Sequence, residues 1–372
     1  MNQNELAQFW KDDAMAHQDN CFFVQAPQVA LGIGMSDECV FAELGEEGKP
    51  WGHTDQARRI ELNQRYNDKA ERIVGKRLLR EEFTPLDAKL PDCKGIGEVF
   101  GGEYIFDGNT TWLEGHCKDE KDLELMLNRI DRMDLREFIL PPNWEAEKKR
   151  VFETYGTMPN QYCAVRGPVT LATSIFGIEN LIYLMYDAPE LAQRFSQTIQ
   201  TVILEYVNIF IAESGKTRDT FDHGFWFADD DCNLLTPEMY EQFGLPVLKS
   251  VFDFCAPNPE DHRFQHSDSA MGHLLPLLAT LNLSGCNFGP TVSVTDIRKH
   301  MPRTRIDGQI APFTFMRNNA ADILAEVKRD CMQAKESGVK GLNLATAGSI
   351  NNGSLLSSML VVMEGIQTYG RY

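Results

Sequence analysis

From about residue 160 onward, short apolar runs alternate with longer stretches in which apolar positions recur every three or four residues. The first pattern is typical of buried strands, and the second is typical of amphipathic helices. Each predicted strand is followed by a helical stretch. The predicted strands span residues 161–168, 220–228, 262–266, 283–288, 304–310 and 340–346.

This alternation predicts a parallel sheet with covering helices. Strands from the first half of the chain would bring the total to about eight, the number in a TIM barrel. We therefore predict an α/β fold, a (β/α)8 TIM barrel with an N-terminal extension. Residues 1–110 would form the extension and the first barrel elements, and residues 111–372 the remainder of one domain. An open doubly wound sheet is the alternative, but no GxGxxG follows an early strand.

The first half of the chain is less regular. Residues 21–25 are apolar enough for a strand, and the charged stretch 53–82 is typical of an exposed helix. The segment 95–106, "GIGEVFGGEYIF", predicts a strand or a hairpin because glycines punctuate it. Residues 119–133 show the period of an amphipathic helix.

Polar residues recur where the predicted strands end. In a parallel barrel these ends meet at one face, which is where active sites lie. The early strand contributes two glutamines, Gln25 and Gln28, on the same reasoning. The later strand ends carry Arg166, Asp229, Asp230, Asp231, His266, Ser267, Asp268, Asn287, Asp307, Gln309, Asn343 and Thr346.

His266 and Asp268 are the central candidates for chemistry, with Asp230 as a third. A histidine and a carboxylate at a strand end can bind a metal ion or act as an acid/base pair, although a hydrogen-bonded core histidine is the alternative. Asp229–Asp231 could equally cap a turn. We predict that Asp230, His266 and Arg166 surround one pocket.

Substrate-binding side chains are predicted at the same strand ends and in the segment after the last strand. Arg166 could hold a carboxylate or phosphate, or clamp a neighbouring acidic side chain. The segment 347–355, "AGSINNGSL", could hold an anion at a helix N-terminus or simply cap that helix. The predicted substrate-binding residues are Arg166, Gln25, Gln28, Asp307, Asn343 and Asn351.

Composition narrows the class of protein. The chain has 372 residues and a formal net charge of −18, so its acidic surface would repel nucleic acid and anionic membranes. Its nine cysteines are widely spaced and contain no CxxC, which favours free thiols in a reducing compartment. The N-terminus lacks the basic and apolar blocks of a signal peptide, so we predict a cytoplasmic protein.

Several stretches taken together resemble the uroporphyrinogen decarboxylase superfamily, a (β/α)8 barrel group. They are "RGPVTLATSIFGIENLIYLMYDAPELAQRF", "FADDDCNLLTPEMYEQFGLPVLKSVFD", "QHSDSAMGHLLPLL", "LSGCNFGPTVSVTDIRKHM" and "RIDGQIAPFTF". The group includes the decarboxylase and methyltransferases that demethylate small substrates through corrinoid proteins. The resemblance implies a methyl donor, a corrinoid carried by a partner protein, and zinc or another divalent metal.

Two departures from the superfamily pattern bear on function. The decarboxylase carries an arginine-containing N-terminal motif that holds substrate carboxylates, whereas the comparable "FFVQAPQVALGIG" contains no arginine. The methyltransferases bind zinc through His-x-Cys and a second cysteine after the last strand. Here the first motif is His266-Ser267-Asp268, and "LNLATAGS" contains no cysteine. The implied ligands His266 and Asp268 therefore lack sulfur.

Three functions remain open at this stage. The first is a methyltransferase with His266, Asp268 and Asp230 at the reacting centre. The second is a decarboxylase or lyase that acts on a small carboxylated substrate held by Arg166. The third is a non-catalytic ligand-binding barrel. The sequence does not decide the substrate, the methyl acceptor or the oligomeric state, for which a homodimer is one option.

Overall fold

The computed structural model describes residues 1–48, 55–106 and 111–372. The chain divides into two compact units. The first consists mainly of Met1–Phe83 and Gln265–Tyr372, and the second of Thr84–Asp107 and Thr111–Phe264. The predicted division at residue 110 stays a prediction.

Helices make up most of the regular structure. They are α1 (Gln3–Ala16), α2 (Asp37–Leu44), α3 (Gln56–Val74), α4 (Ile96–Val99), α5 (Glu120–Ile130), α6 (Leu135–Ile139), α7 (Trp144–Tyr155), α8 (Pro168–Phe176), α9 (Ile178–Asp187), α10 (Pro189–Glu213), α11 (Pro237–Phe243), α12 (Leu245–Cys255), α13 (Leu275–Leu278), α14 (Val294–His300), α15 (Pro312–Met316), α16 (Ala320–Glu336) and α17 (Leu356–Tyr369).

The strands fall into one large sheet and one hairpin. They are β1 (Ala30–Leu31), β2 (Glu103–Phe106), β3 (Thr111–Glu114), β4 (Ala164–Arg166), β5 (Phe225–Ala228), β6 (Arg263–Ser267), β7 (Gly285–Phe288), β8 (Arg305–Ile310) and β9 (Leu342–Thr346). Within the described ranges, the large sheet has seven strands in the order β1-β9-β8-β7-β6-β5-β4. The pairs β1–β9, β4–β5, β7–β8 and β8–β9 are parallel.

The strand order confirms the predicted α/β fold. All six strands predicted after residue 160 are present, and they are neighbours in chain order from β4 to β9. The eighth strand is absent from the sheet over the described residues, where β1 and β4 are the two edges and the ladder is not closed. β2 and β3 pair with each other as a separate antiparallel hairpin.

Some local predictions were wrong. Residues 21–25 do not form a strand. The first strand is β1, which begins nine residues after Cys21. The segment 95–106 is α4 followed by β2, so the predicted strand is present at Glu103–Phe106, whereas Ile96–Val99 is helical. The predicted exposed helix is α3, and the first residues of that stretch, 53 and 54, lie outside the described residues.

The helical stretch predicted after the first regular strand, β4, begins as two separate helices, α8 and α9. Gly177 separates them with φ = 84°, a left-handed conformation that glycine adopts without strain, and the two helices are bent by 101°. Over the described residues, no single helix is long and apolar enough to cross a membrane. α8 and α9 have the length and hydropathy for this only when they are counted together, in spite of the bend between them.

Each unit has its own apolar interior. In the first unit, β8 and β9 lie in register, with Ile306 opposite Leu342, and both side chains are at most 1% exposed. In the second unit, Phe195 of α10 is fully buried and makes edge contacts with Phe243 at a centroid distance of 5.9 Å. Full burial of such a side chain stabilises the fold by roughly 1.5–3 kcal/mol.

Candidate functional site

His266 lies near the C-terminal end of β6, where its ring is held by Asn287 of β7. His266 Nδ1 is 2.8 Å from Asn287 Oδ1. The orientation of the Asn287 amide is fixed, because its Nδ2 donates to the carbonyl oxygens of Asp307 and Thr346 and its Oδ1 accepts from the Gly348 N–H.

This arrangement determines the tautomer of the histidine. Since the Asn287 oxygen can only accept, His266 Nδ1 must carry the proton and donate it. In the neutral imidazole the lone pair is then on Nε2, which is the atom that can bind a metal ion or take up a proton. Asn287 thus orients His266 in the way that metal-binding histidines are oriented by side chains that hydrogen-bond to them without binding the metal.

Asp268 follows β6 by one residue and is exposed. The segment after β9 approaches it closely at Gly348. A Cβ on Gly348 would lie 2.9 Å from the Asp268 Cβ, and Gly348 has φ = 117°. Glycine is therefore required there both by space and by backbone conformation.

The three aspartates after β5 occupy different environments. Asp229 is fully buried, its Oδ1 accepts from the Thr170 N–H at 2.8 Å, and burial raises its pKa to about 7. Asp231 is held by α8 as well, because its carboxylate accepts from the Thr173 hydroxyl at 2.5 Å and its N–H donates to Thr170. Asp230, between them, is half-buried.

Gly167, the residue after β4, allows Asp229 to lie against α8. Its N–H donates to the Ala228 carbonyl, and a Cβ on Gly167 would lie 2.2 Å from the Asp229 Cβ. Real Cβ atoms do not approach this closely, so the buried carboxylate and a side chain at 167 exclude each other.

We expect Gly167→Ala to lower the free energy of unfolding by about 1–3 kcal/mol or more, because the buried carboxylate or the strand end must move. Gly34→Ala is the matched control, since a Cβ there meets no atom within 4 Å. Urea unfolding of both variants checks this. Equal stability of the two variants would contradict the close approach.

His266 and Asp268 are brought together in the first unit. One ligand atom of His266 lies within 4.8 Å of a carboxylate oxygen of Asp268. The His266 side chain is half-buried and Asp268 is exposed. A carboxylate and an imidazole can bind a divalent cation or exchange protons. The place of Asp230, which belongs to the second unit, in the same site stays a prediction.

The other predicted strand-end residues have partners of their own. Asp307 is in the middle of β8, where Arg305 donates to both carboxylate oxygens at 2.7 and 2.8 Å, and Asn343 Nδ2 donates to Oδ1 at 2.9 Å. The Asn343 oxygen is buried and has no hydrogen-bond partner among the residues that the structure describes. Arg166, the last residue of β4, is exposed, and its place in a shared pocket stays a prediction.

The two glutamines precede a strand instead of following one, because the first strand is β1. Gln25 is exposed in the preceding loop. Gln28 is 1% exposed, and its Oε1 accepts from Gln367 and Arg371 near the C-terminus. The expectation that these residues follow a strand was wrong. Asn351 is half-buried in the segment after β9, as expected from the sequence.

The family model that matches this chain is described as uroporphyrinogen decarboxylase (URO-D), and it covers residues 108–366. The chain belongs to the uroporphyrinogen decarboxylase family. The resemblance inferred from the sequence motifs is thereby confirmed. No curated protein matches this sequence.

Solved structures support the fold of this uroporphyrinogen decarboxylase family member. One similar structure is a methyltransferase from Methanosarcina mazei, with a TM-score of 0.57 and 16% sequence identity. The similarity covers 93% of this chain and 95% of the methyltransferase. At this identity the likeness establishes the shared fold, and it carries no residue roles across.

Proposed function

We propose that this chain is an enzyme that removes a methyl group from a small methylated donor and passes it to a corrinoid protein. The observation that carries the proposal is the group formed by His266 and Asp268, whose ligand atoms lie within 4.8 Å of each other. Family membership and the methyltransferase fold neighbour support the same class of reaction.

The side chains of this group fit a divalent cation. Imidazole suits zinc and other borderline metals, and carboxylates suit harder ones. The group contains no thiolate, so it does not reproduce a sulfur-rich zinc site. His266 Nε2 and the carboxylate of Asp268 would hold the cation, which would polarise the heteroatom that bears the methyl group.

The reaction breaks the bond between the methyl carbon and its heteroatom. The electron pair of that bond stays on the heteroatom, which takes up a proton, and the methyl group passes to the reduced cobalt of the corrinoid. Without a metal ion, the protonated imidazole of His266 would deliver that proton, and Asp268 would stabilise the imidazolium. Because Asn287 keeps a proton on His266 Nδ1, Nε2 is the atom that would bind the metal ion or, without a metal ion, deliver the proton.

Carboxy-lyase activity finds less support in this chain. The segment from Phe22 to Gly34 contains no arginine, so the carboxylate clamp that the resemblance would require there is missing. Arg166 is the remaining candidate clamp, and it is exposed at the end of β4.

Removal and return of the metal tests the proposal. We expect the purified protein to contain about one divalent metal ion per chain, measured by mass spectrometry of the elements. We expect chelation to abolish methyl transfer and the metal to restore it. The assay follows the absorbance of free cob(I)alamin as acceptor, with methanol, trimethylamine and a methoxybenzoate as donors.

One result would separate the two versions of the proposal, and another would decide against it. Methyl transfer that survives complete removal of metal would leave His266 as an acid and exclude the metal version. A folded, metal-free protein that transfers no methyl group but releases carbon dioxide from a carboxylated compound would favour the lyase.

A further inference from the structure

A second cluster of chemically competent side chains lies in the first unit, around the end of α1. Asp13, His17 and Cys21 are spaced four residues apart. His17 Nε2 lies 3.4 Å from Asp13 Oδ2, and His17 Nδ1 lies 3.8 Å from Cys21 Sγ. A carboxylate, an imidazole and a thiol in this order form the arrangement by which cysteine nucleophiles are activated.

The surrounding backbone sets the histidine tautomer. His17 Nε2 is 3.2 Å from the carbonyl oxygen of Leu31, which can only accept, so Nε2 carries a proton. Asp13 is itself fixed, because its Oδ1 accepts from the Leu31 N–H at 2.8 Å. Nδ1, the other ring nitrogen, is therefore the one that faces the sulfur and can take its proton.

The charges around Cys21 come from several elements. Asp13 and His17 belong to the end of α1, Arg305 begins β8, and Tyr372 ends the chain. The pKa of His17 is raised to about 10, first by its hydrogen bond with Asp13 and next by that with Cys21.

The cluster is at the opposite end of the strands from His266. Asn20 Nδ2 donates to the carbonyl of Ser284, directly before β7, and Arg305 Nη1 donates to Asn20 Oδ1; both distances are 2.7 Å. His266, by contrast, lies near the C-terminal end of β6. The cluster is thus separate from the proposed catalytic group, and its chemistry does not depend on the proposed function.

We propose that Cys21 is a reactive thiol, activated by His17 and Asp13, that hydroperoxides oxidise to a sulfenic acid. The sulfur attacks the peroxide, the O–O bond breaks, and one oxygen is retained as S–OH. With hydrogen peroxide, the other oxygen leaves as hydroxide and is protonated to water. Sulfur is oxidised by two electrons and the peroxide is reduced by two.

The other cysteines provide an internal comparison. Burial raises the pKa of Cys255 and Cys331 to about 12, and it also raises the pKa of Cys39 and Cys286. These thiols stay protonated and inert. Cys163 is exposed and serves as an accessible reference thiol.

Sulfenic-acid trapping in the wild-type protein tests the proposal directly. The protein is exposed to hydrogen peroxide with dimedone present, and labelling of each cysteine is followed by peptide mass spectrometry. We expect Cys21 to be labelled about tenfold faster than Cys163, because His17 Nδ1 faces the Cys21 sulfur and can take the thiol proton as the sulfur attacks the peroxide. Cys21 is 5% exposed, so peroxide, a small oxidant, is the appropriate probe.

Variants separate activation from accessibility. His17→Gln and Asp13→Asn should each bring Cys21 labelling down to the rate of Cys163 or below, while labelling of Cys163 stays unchanged. His116→Gln, an exposed histidine with 61% of its side chain accessible, is the matched control. Wild-type labelling of Cys21 no faster than that of Cys163, or unchanged Cys21 labelling in folded His17→Gln, would overturn the proposal. Because the wild-type comparison needs no substitution, it decides even where a variant fails to fold.

Discussion

Replacing His266 by alanine should reduce methyl transfer by about 10²–10⁴-fold while leaving the fold intact. The residue is half-buried near a strand end, so its truncation removes a ligand or acid more than core volume. If His266 binds a metal ion, bound metal should fall together with the rate. The measurements are elemental analysis, the cob(I)alamin assay and thermal unfolding on the same preparation.

Asp268→Asn refines this result, because it keeps the shape of the side chain and removes its charge. Metal content should fall if the carboxylate is a ligand, and it should stay unchanged if Asp268 only stabilises an imidazolium. His116→Ala and Asp253→Asn are the controls, since both side chains are about half or more exposed. Loss of folding in His266→Ala would identify a structural histidine and favour a ligand-binding barrel.

Asn287→Ala should weaken metal binding or activity by about 10–100-fold, although Asn287 is not in the group that binds the metal. Without its oxygen, nothing specifies that His266 Nδ1 carries the proton, and a fraction of the imidazole adopts the other tautomer. Nitrogen-15 NMR of labelled histidine should show a single Nδ1–H tautomer in the wild-type protein and a mixture in the variant. A purely structural role would lower stability without changing the tautomer.

The chain contains a matched control for this variant. Asn258 Nδ2 lies 3.0 Å from His223 Nδ1, so Asn258→Ala removes a similar asparagine–histidine contact at an exposed position. We expect it to leave metal content and methyl transfer unchanged. If Asn258→Ala and Asn287→Ala reduce activity equally, the effect is a general loss of stability and the positioning role is wrong.

The strands and helices of the second half of the fold could be predicted because their sequence patterns are local. Each strand from β4 to β9 is a short apolar run followed by a helix, and both periods can be read over about ten residues. The first half was not accessible in the same way. The apolar stretch 21–25 begins at a left-handed turn, with Asp19, Asn20 and Cys21 all at positive φ, and β1 has only two residues. Neither feature leaves a periodic pattern.

For the site, the sequence by itself determined which polar side chains follow the strands, including His266, Asp268 and the three aspartates at 229–231. It could not choose among those aspartates, because burial of Asp229 and the hydrogen bonds of Asp231 depend on α8, some 60 residues earlier. The tertiary structure alone decided that Asn287 orients His266, and that Cys21, which lies beyond the end of α1, still faces His17. These contacts depend on which side chains lie close together in the folded chain. The order of residue types along the sequence does not specify that proximity.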